Sequence, residues 1–250
     1  MSMSIGSKRF VMTLSALAGL TLAPPAQADG GRTPVAIELV LAVDVSLSVD
    51  DGEFELQMRG ISQALRQPEV VQLITQHKGG VAVRLLQWSS APDENDGLPW
   101  RLLTDRRTIL AFADEIDRTP RAPLPYYTGI GSAIDLSVDL IDNNVFDGRL
   151  RKIDVSGDGR SNTGPDPAAA RARALARDIT INGLAVIDNV PALDVYYKAF
   201  VAGGPASFVI KAKNYKDFGR AMRLKLIREL TPLTARAPAV PKRRTGRNGT

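Results

Sequence analysis

The chain has 250 residues, no cysteine, a single histidine and a formal net charge of +5. The lack of cysteine excludes a disulfide scaffold, a thiol nucleophile and a lipid-anchored lipoprotein. Arg236, Lys242, Arg243, Arg244 and Arg247 supply five positive charges and Lys8 and Arg9 two more, with no acid in either segment, which leaves about −2 for the body. The high pI therefore belongs to the ends of the chain, and no nucleic-acid partner is expected.

Lys8 and Arg9, the apolar run Phe10 to Leu22 and the triplet Ala26-Gln27-Ala28 read as an export signal over residues 1–28. The run is shorter than the roughly 20 apolar residues of a membrane span. This predicts a periplasmic or secreted protein, for a bacterial source. At the other end, residues 231–250 are rich in Pro, Ala, Arg and Thr, and read as a disordered basic tail able to touch an anionic envelope surface weakly.

Between them, residues 33–230 are long enough for one domain with a sizeable core. Val35 to Val43 is a mostly apolar run, the pattern of a strand covered on both faces. Asp50 or Asp51 then caps a helix with Phe54, Met58, Ile61 and Leu65 on one face, which Pro68 ends or restarts. Gly79-Gly80 turns the chain into a strand over Val81 to Trp88. Trp100 to Leu103 reads as a short antiparallel edge strand, and Asp105 caps a helix carrying Ile109, Phe112 and Ile116. After a proline-rich loop, Thr119 to Pro125, Thr128 opens a helix with Ile130, Ile134, Val138 and Ile141 on one side. Strands are expected over Lys152 to Ser156, Ile179 to Ile187 and Ser207 to Ile210. Helices are expected over Pro167 to Arg177, Pro191 to Val201 and from Asn214 or Asp217 to Leu230. The alternation predicts an α/β, Rossmann-like three-layer open sheet, mostly parallel with one short antiparallel edge strand, and helices on both faces.

Three segments carry oxygen-bearing side chains at strand or loop exits: Asp44-Val45-Ser46-Leu47-Ser48, Thr128, and Asp158 in Gly157-Asp158-Gly159. In an open α/β sheet such exits gather in a crevice at the carboxyl edge. Two carboxylates and three hydroxyls there form an all-oxygen set suited to a hard divalent cation. Each piece also has an ordinary reading: Ser48 or Asp50 as a helix cap, Thr128 as an N-cap, Asp158 as a turn residue. Tyr126 and Tyr127 read equally as contact residues beside the crevice or as a packed loop.

The element order and the three motifs resemble the von Willebrand factor type A domain. The further pattern Thr128, Gly131, Ala133 and Ile134 also matches that family. The resemblance implies a metal-ion-dependent adhesion site at Asp44, Ser46, Ser48, Thr128 and Asp158. The hydroxyls would ligate directly, and the carboxylates would hold coordinating waters. Mg²⁺ is the expected cation, with Mn²⁺ or Ca²⁺ open, and a carboxylate from a protein or polymer partner would complete the metal shell. One departure is Gly157, where the family often has Thr. The chain also resembles an exported bacterial family of this fold without an assigned function.

The expected function is a binding module and not an enzyme. Alternatives are a metal-dependent hydrolase or phosphoryl-transfer enzyme, and a structural envelope protein with a vestigial site. His77 falls at a helix end before Gly79-Gly80, on the edge opposite the crevice, so a histidine base is misplaced for catalysis. Gly129-Ile130-Gly131 is too short a match for a dinucleotide motif, and Gly157 to Gly164 lacks a phosphate-loop lysine.

Overall fold

In the computed structural model, residues 31–123 and 126–232 are described. The expected export signal over residues 1–28, Leu124, Pro125 and the expected basic tail from residue 233 lie outside them.

The mostly apolar run from Val35 to Val43 makes the central strand, β1 (Thr33–Asp44), in which every residue from Val35 onward is buried. Around it lie β2 (Val81–Trp88), β3 (Gly97–Leu103), β4 (Phe146–Gly157), β5 (Ile179–Val186) and β6 (Val209–Ala212), in the order β3-β2-β1-β4-β5-β6. All pairings are parallel except β2 with β3. This is the mostly parallel sheet with an antiparallel edge strand expected from the sequence. β1 has parallel neighbours on both sides, so the chain leaves its carboxyl end at a topological switch point, where open sheets form crevices.

Helices α1 (Asp51–Arg66), α2 (Pro68–Gln76), α3 (Arg106–Arg118) and α7 (Phe218–Leu230) cover one face. Phe54, Ile61, Phe112, Phe218 and Met222 are among the buried residues of that core. On the other face, α4 (Ile130–Asp142), α5 (Pro167–Leu175) and α6 (Leu193–Tyr196) pack over Val40, Trp88, Ile134 and Tyr197. Asp50 caps α1 in a reciprocal box: the Glu53 amide donates to Asp50 Oδ1 (2.7 Å) and the Asp50 amide to Glu53 Oε2 (2.9 Å). Asp50 thus serves as a helix cap.

Several boundaries differ from the sequence expectation, for local reasons. β4 begins at Phe146, six residues before Lys152, because Phe146 to Leu150 pair with the exposed start of β1. Their composition, Phe-Asp-Gly-Arg-Leu, resembles a turn until that long-range pairing exists. β3 likewise begins at Gly97 and β6 runs two residues later than expected. The stretch Pro191 to Val201 is one turn of α6 followed by a π-helical turn, Tyr197–Val201. A 3₁₀ turn capped by Asn214 precedes α7.

Candidate metal centre

Asp44 is the last residue of β1, and its side chain points into the crevice with no exposed surface. The Ser46 amide donates to Asp44 Oδ1 (2.8 Å), which bends the chain back over the strand end. Ser48 Oγ donates to Asp158 Oδ1 (2.7 Å) across 110 residues of sequence. Ser46 Oγ lies 3.3 Å from Ser48 Oγ and accepts from Thr128 Oγ1 at 3.4 Å. All five residues singled out in the sequence therefore converge. Asp44, Ser46, Thr128 and Asp158 are buried, and Ser48 is on the open side.

The N-cap of α4 is Gly129. Thr128 stands one residue before the cap, so its hydroxyl is not spent on capping. The loop after Asp158 fixes it instead: the Thr128 amide donates to Asn162 Oδ1 (2.8 Å) and the Asn162 amide to the Thr128 carbonyl (2.9 Å). Gly131 lets the first turn of α4 meet that loop, because a Cβ there would fall 2.1 Å from the Pro165 carbonyl oxygen.

The electrostatics are unbalanced. The Asp44 carboxyl is pushed from the usual 3.8 up to about 7, first by burial and then by the nearby Asp158, with the bonds from Ser46 opposing the rise. Among the described residues, Asp44 Oδ2 is buried without a hydrogen-bond partner. Burial, followed by the nearby Asp44 and Asp158, also drives the Tyr197 hydroxyl well above its ordinary value, and this hydroxyl too lacks a hydrogen-bond partner. A Cβ on Gly157 would lie 2.7 Å from both Asp44 Oδ2 and the Tyr197 hydroxyl. The departure at Gly157 thus has a steric reason: the Tyr197 hydroxyl and Asp44 Oδ2 take the room a larger residue would need.

Two residues that sequence reasoning passed over hold the first loop. Gln57 Nε2 donates to the Asp44 carbonyl (3.0 Å). Arg121, from the proline-rich loop, donates to the carbonyls of Val45 (3.2 Å), Ser46 (3.3 Å) and Val49, and pairs with Asp51 at 2.7 Å. An arginine among prolines carries no local signal of such a role. Tyr126 and Tyr127 are 70 % and 58 % exposed, which favours a contact surface over a packed loop. His77 lies at the end of α2, where Nε2 meets the Leu230 carbonyl at 2.8 Å, on the far edge of the sheet from Asp44.

The donor set fits a hard cation: every side chain offers oxygen, and one buried carboxylate oxygen is unpartnered. Among the described residues no three His, Cys, Asp or Glu side chains gather as a metal cluster. Hydroxyls make up the rest of this group.

The sheet order and the two helical layers define a von Willebrand factor type A-like α/β domain. Residues 34–234 match the family described as protein of unknown function (DUF1194), and the chain belongs to that family. Among solved structures, it is similar to proximal thread matrix protein 1 from the mussel byssus with a zinc-occupied MIDAS motif, with 13 % identity, a TM-score of 0.53, and coverage of 80 % of this chain and 48 % of that one. The chain thus spans about half the length of that relative. The von Willebrand factor domain of a type V pili tip protein from Porphyromonas gingivalis gives 9 % identity, a TM-score of 0.54, and coverage of 77 % and 94 %. The type A domain from Catenulispora acidiphila gives 12 %, 0.52, and 77 % and 42 %. These likenesses are of fold. No curated protein matches the sequence.

Proposed function

We propose that this protein is an exported binding module that captures a carboxylate-bearing protein or polymer through a divalent cation, Mg²⁺ first, held by Asp44, Ser46, Ser48, Thr128 and Asp158. The observation that carries the reading is the meeting of these side chains from three distant segments around a buried carboxylate oxygen with no partner. A bound cation would supply a positive charge that neutral hydroxyls leave under-neutralised, and so an attraction for an anionic partner. Asp44 and Asp158 balance part of that charge, Arg121 and Gln57 hold the loop that presents Ser46 and Ser48, and the exposed Leu47, Tyr126 and Tyr127 offer apolar contact beside the crevice. The zinc-occupied motif of the mussel protein and the pilus-tip setting of the Porphyromonas domain support metal use and adhesion as the kind of work this fold carries.

Catalysis is not part of the proposal, since the chain's only histidine is engaged at the far edge. The test is capture, on immobilised protein, of Asp- and Glu-containing peptides against their amidated counterparts. Capture should require Mg²⁺ and the free carboxylate, and should vanish with Ser46→Ala. Capture that persists in EDTA would remove the metal bridge from the reading.

A further inference from the structure

At the pole opposite the oxygen cluster, the amino ends of β4 and β5, the loop before β6 and the last turn of α7 enclose a cavity of about 480 Å³. That is within the range of about 300–1,000 Å³ typical of small-molecule sites. Leu150 and Phe208 contribute apolar wall. Arg149, Arg151, Lys152 and Arg228 also line it, against a single lining carboxylate, Asp178, among the described residues.

The polar groups at its base are largely committed within the protein. Asn182 donates from Nδ2 to Glu229 Oε1 (2.7 Å) and accepts the Phe208 amide at Oδ1 (2.8 Å). Lys152 faces Glu229 Oε2 at 3.3 Å, and Arg151 engages the Arg177 carbonyl and Asp142. The guanidinium of Arg228 lies 4.1 Å from the centre of the Phe208 ring. Arg149 differs: it is exposed and makes no hydrogen bond or ion pair among the described residues. The cavity therefore joins an apolar wall to a cationic rim with one uncommitted guanidinium. A neutral apolar ligand would ignore the rim, and a small inorganic anion would leave the wall wet.

We propose that this cavity binds an amphipathic organic anion, with its apolar body against Phe208 and Leu150 and its carboxylate or phosphate head at Arg149. The site is independent of the metal centre and remains in EDTA.

Calorimetric titration in EDTA tests it, with decanoate and decyl phosphate below their micellar concentrations, and with decanol and inorganic phosphate as partial probes. Saturable binding of at least one amphipathic anion, and weaker binding of both partial probes, is expected; the preferred head group identifies carboxylate or phosphate as the natural chemistry. Arg149→Glu should weaken binding by roughly tenfold or more through the reversed rim charge, with the unfolding temperature unchanged, and Arg149→Lys should retain most of it. No saturable binding of either anion, equal affinity for decanol, or undiminished binding in Arg149→Glu would each overturn the proposal. Because metal is absent throughout, none of these outcomes depends on the metal centre.

Discussion

Two regions of this molecule bury a pair of carboxylates, and they resolve the charge in opposite ways. Under α7, Asp154 and Glu229 are enclosed together with Lys225, whose ammonium is 2.8 Å from Asp154 Oδ1 and 3.3 Å from Glu229 Oε1. Lys152 reaches Glu229 Oε2 at 3.3 Å, and Asn182 takes up Oε1. At the carboxyl edge of the sheet, Asp44 and Asp158 have hydroxyls and amides for company and, among the described residues, no cationic side chain bonded to them. One region carries its counter-charge within the chain and fastens α7 to the sheet. The other leaves a need for positive charge that an ion from outside can meet. Burial alone thus does not separate a structural from a functional charge cluster; the presence or absence of an internal counter-ion does.

The largest effect is expected from breaking the internally balanced region. Lys225→Met leaves two buried carboxylates short of a cation and should cost about 3–5 kcal/mol, read by denaturant unfolding. Asp44→Asn should do the reverse in metal-free protein, because it removes a carboxylate whose ionised form burial disfavours.

The next effect is a pH dependence. The folded-state value of Asp44, about 7, lies above the ordinary 3.8, so the fold binds the proton more tightly than the unfolded chain does. Its contribution is present below about pH 4 and is lost as pH rises to about 7, by at most about 4 kcal/mol. Burial raises Asp154 to about 6, with Lys225 opposing and Glu229 adding, so part of any decline belongs to it. The difference between wild type and Asp44→Asn isolates Asp44: the two unfolding curves should diverge up to about pH 7 without metal. Saturating Mg²⁺, which favours the ionised carboxylate, should narrow that gap by selectively stabilising the wild type. Parallel curves would mean that the Asp44 carboxyl is not held neutral.

A smaller effect is expected at Arg121, which positions the Ser46 loop without being part of the donor set. Arg121→Ala should cost about 1–3 kcal/mol in unfolding through lost charged hydrogen bonds, and should weaken Mg²⁺ binding severalfold. Unchanged metal affinity would show that the loop keeps its shape unaided.

The carboxyl-edge cluster is legible in the sequence because each part follows a strong local pattern: Asp44 after an apolar run broken only by Glu38, Thr128 before a periodic helix, Asp158 in a glycine turn. Its supports are not. Arg121 and Gln57 act through backbone carbonyls distant in sequence, and Tyr197 reaches the site through a π turn where ordinary helical periodicity was expected. The internally balanced cluster was equally hidden. Lys225 and Glu229 read as the polar side of an amphipathic helix, and only the packing of α7 over β4 and β5 places them at 0 % and 1 % exposure. The start of β4 escaped for a related reason, since its polar residues become strand only by pairing with β1.

The most direct test of the contrast between the two regions is calorimetric titration of Mg²⁺, Mn²⁺ and Ca²⁺ into metal-stripped protein, with Asp44→Ala beside the wild type. Saturable binding of at least one cation to the wild type, lost in Asp44→Ala while the fold persists, is the predicted result. Identical binding by the two proteins, or no binding by a folded wild type, would contradict a metal centre at Asp44.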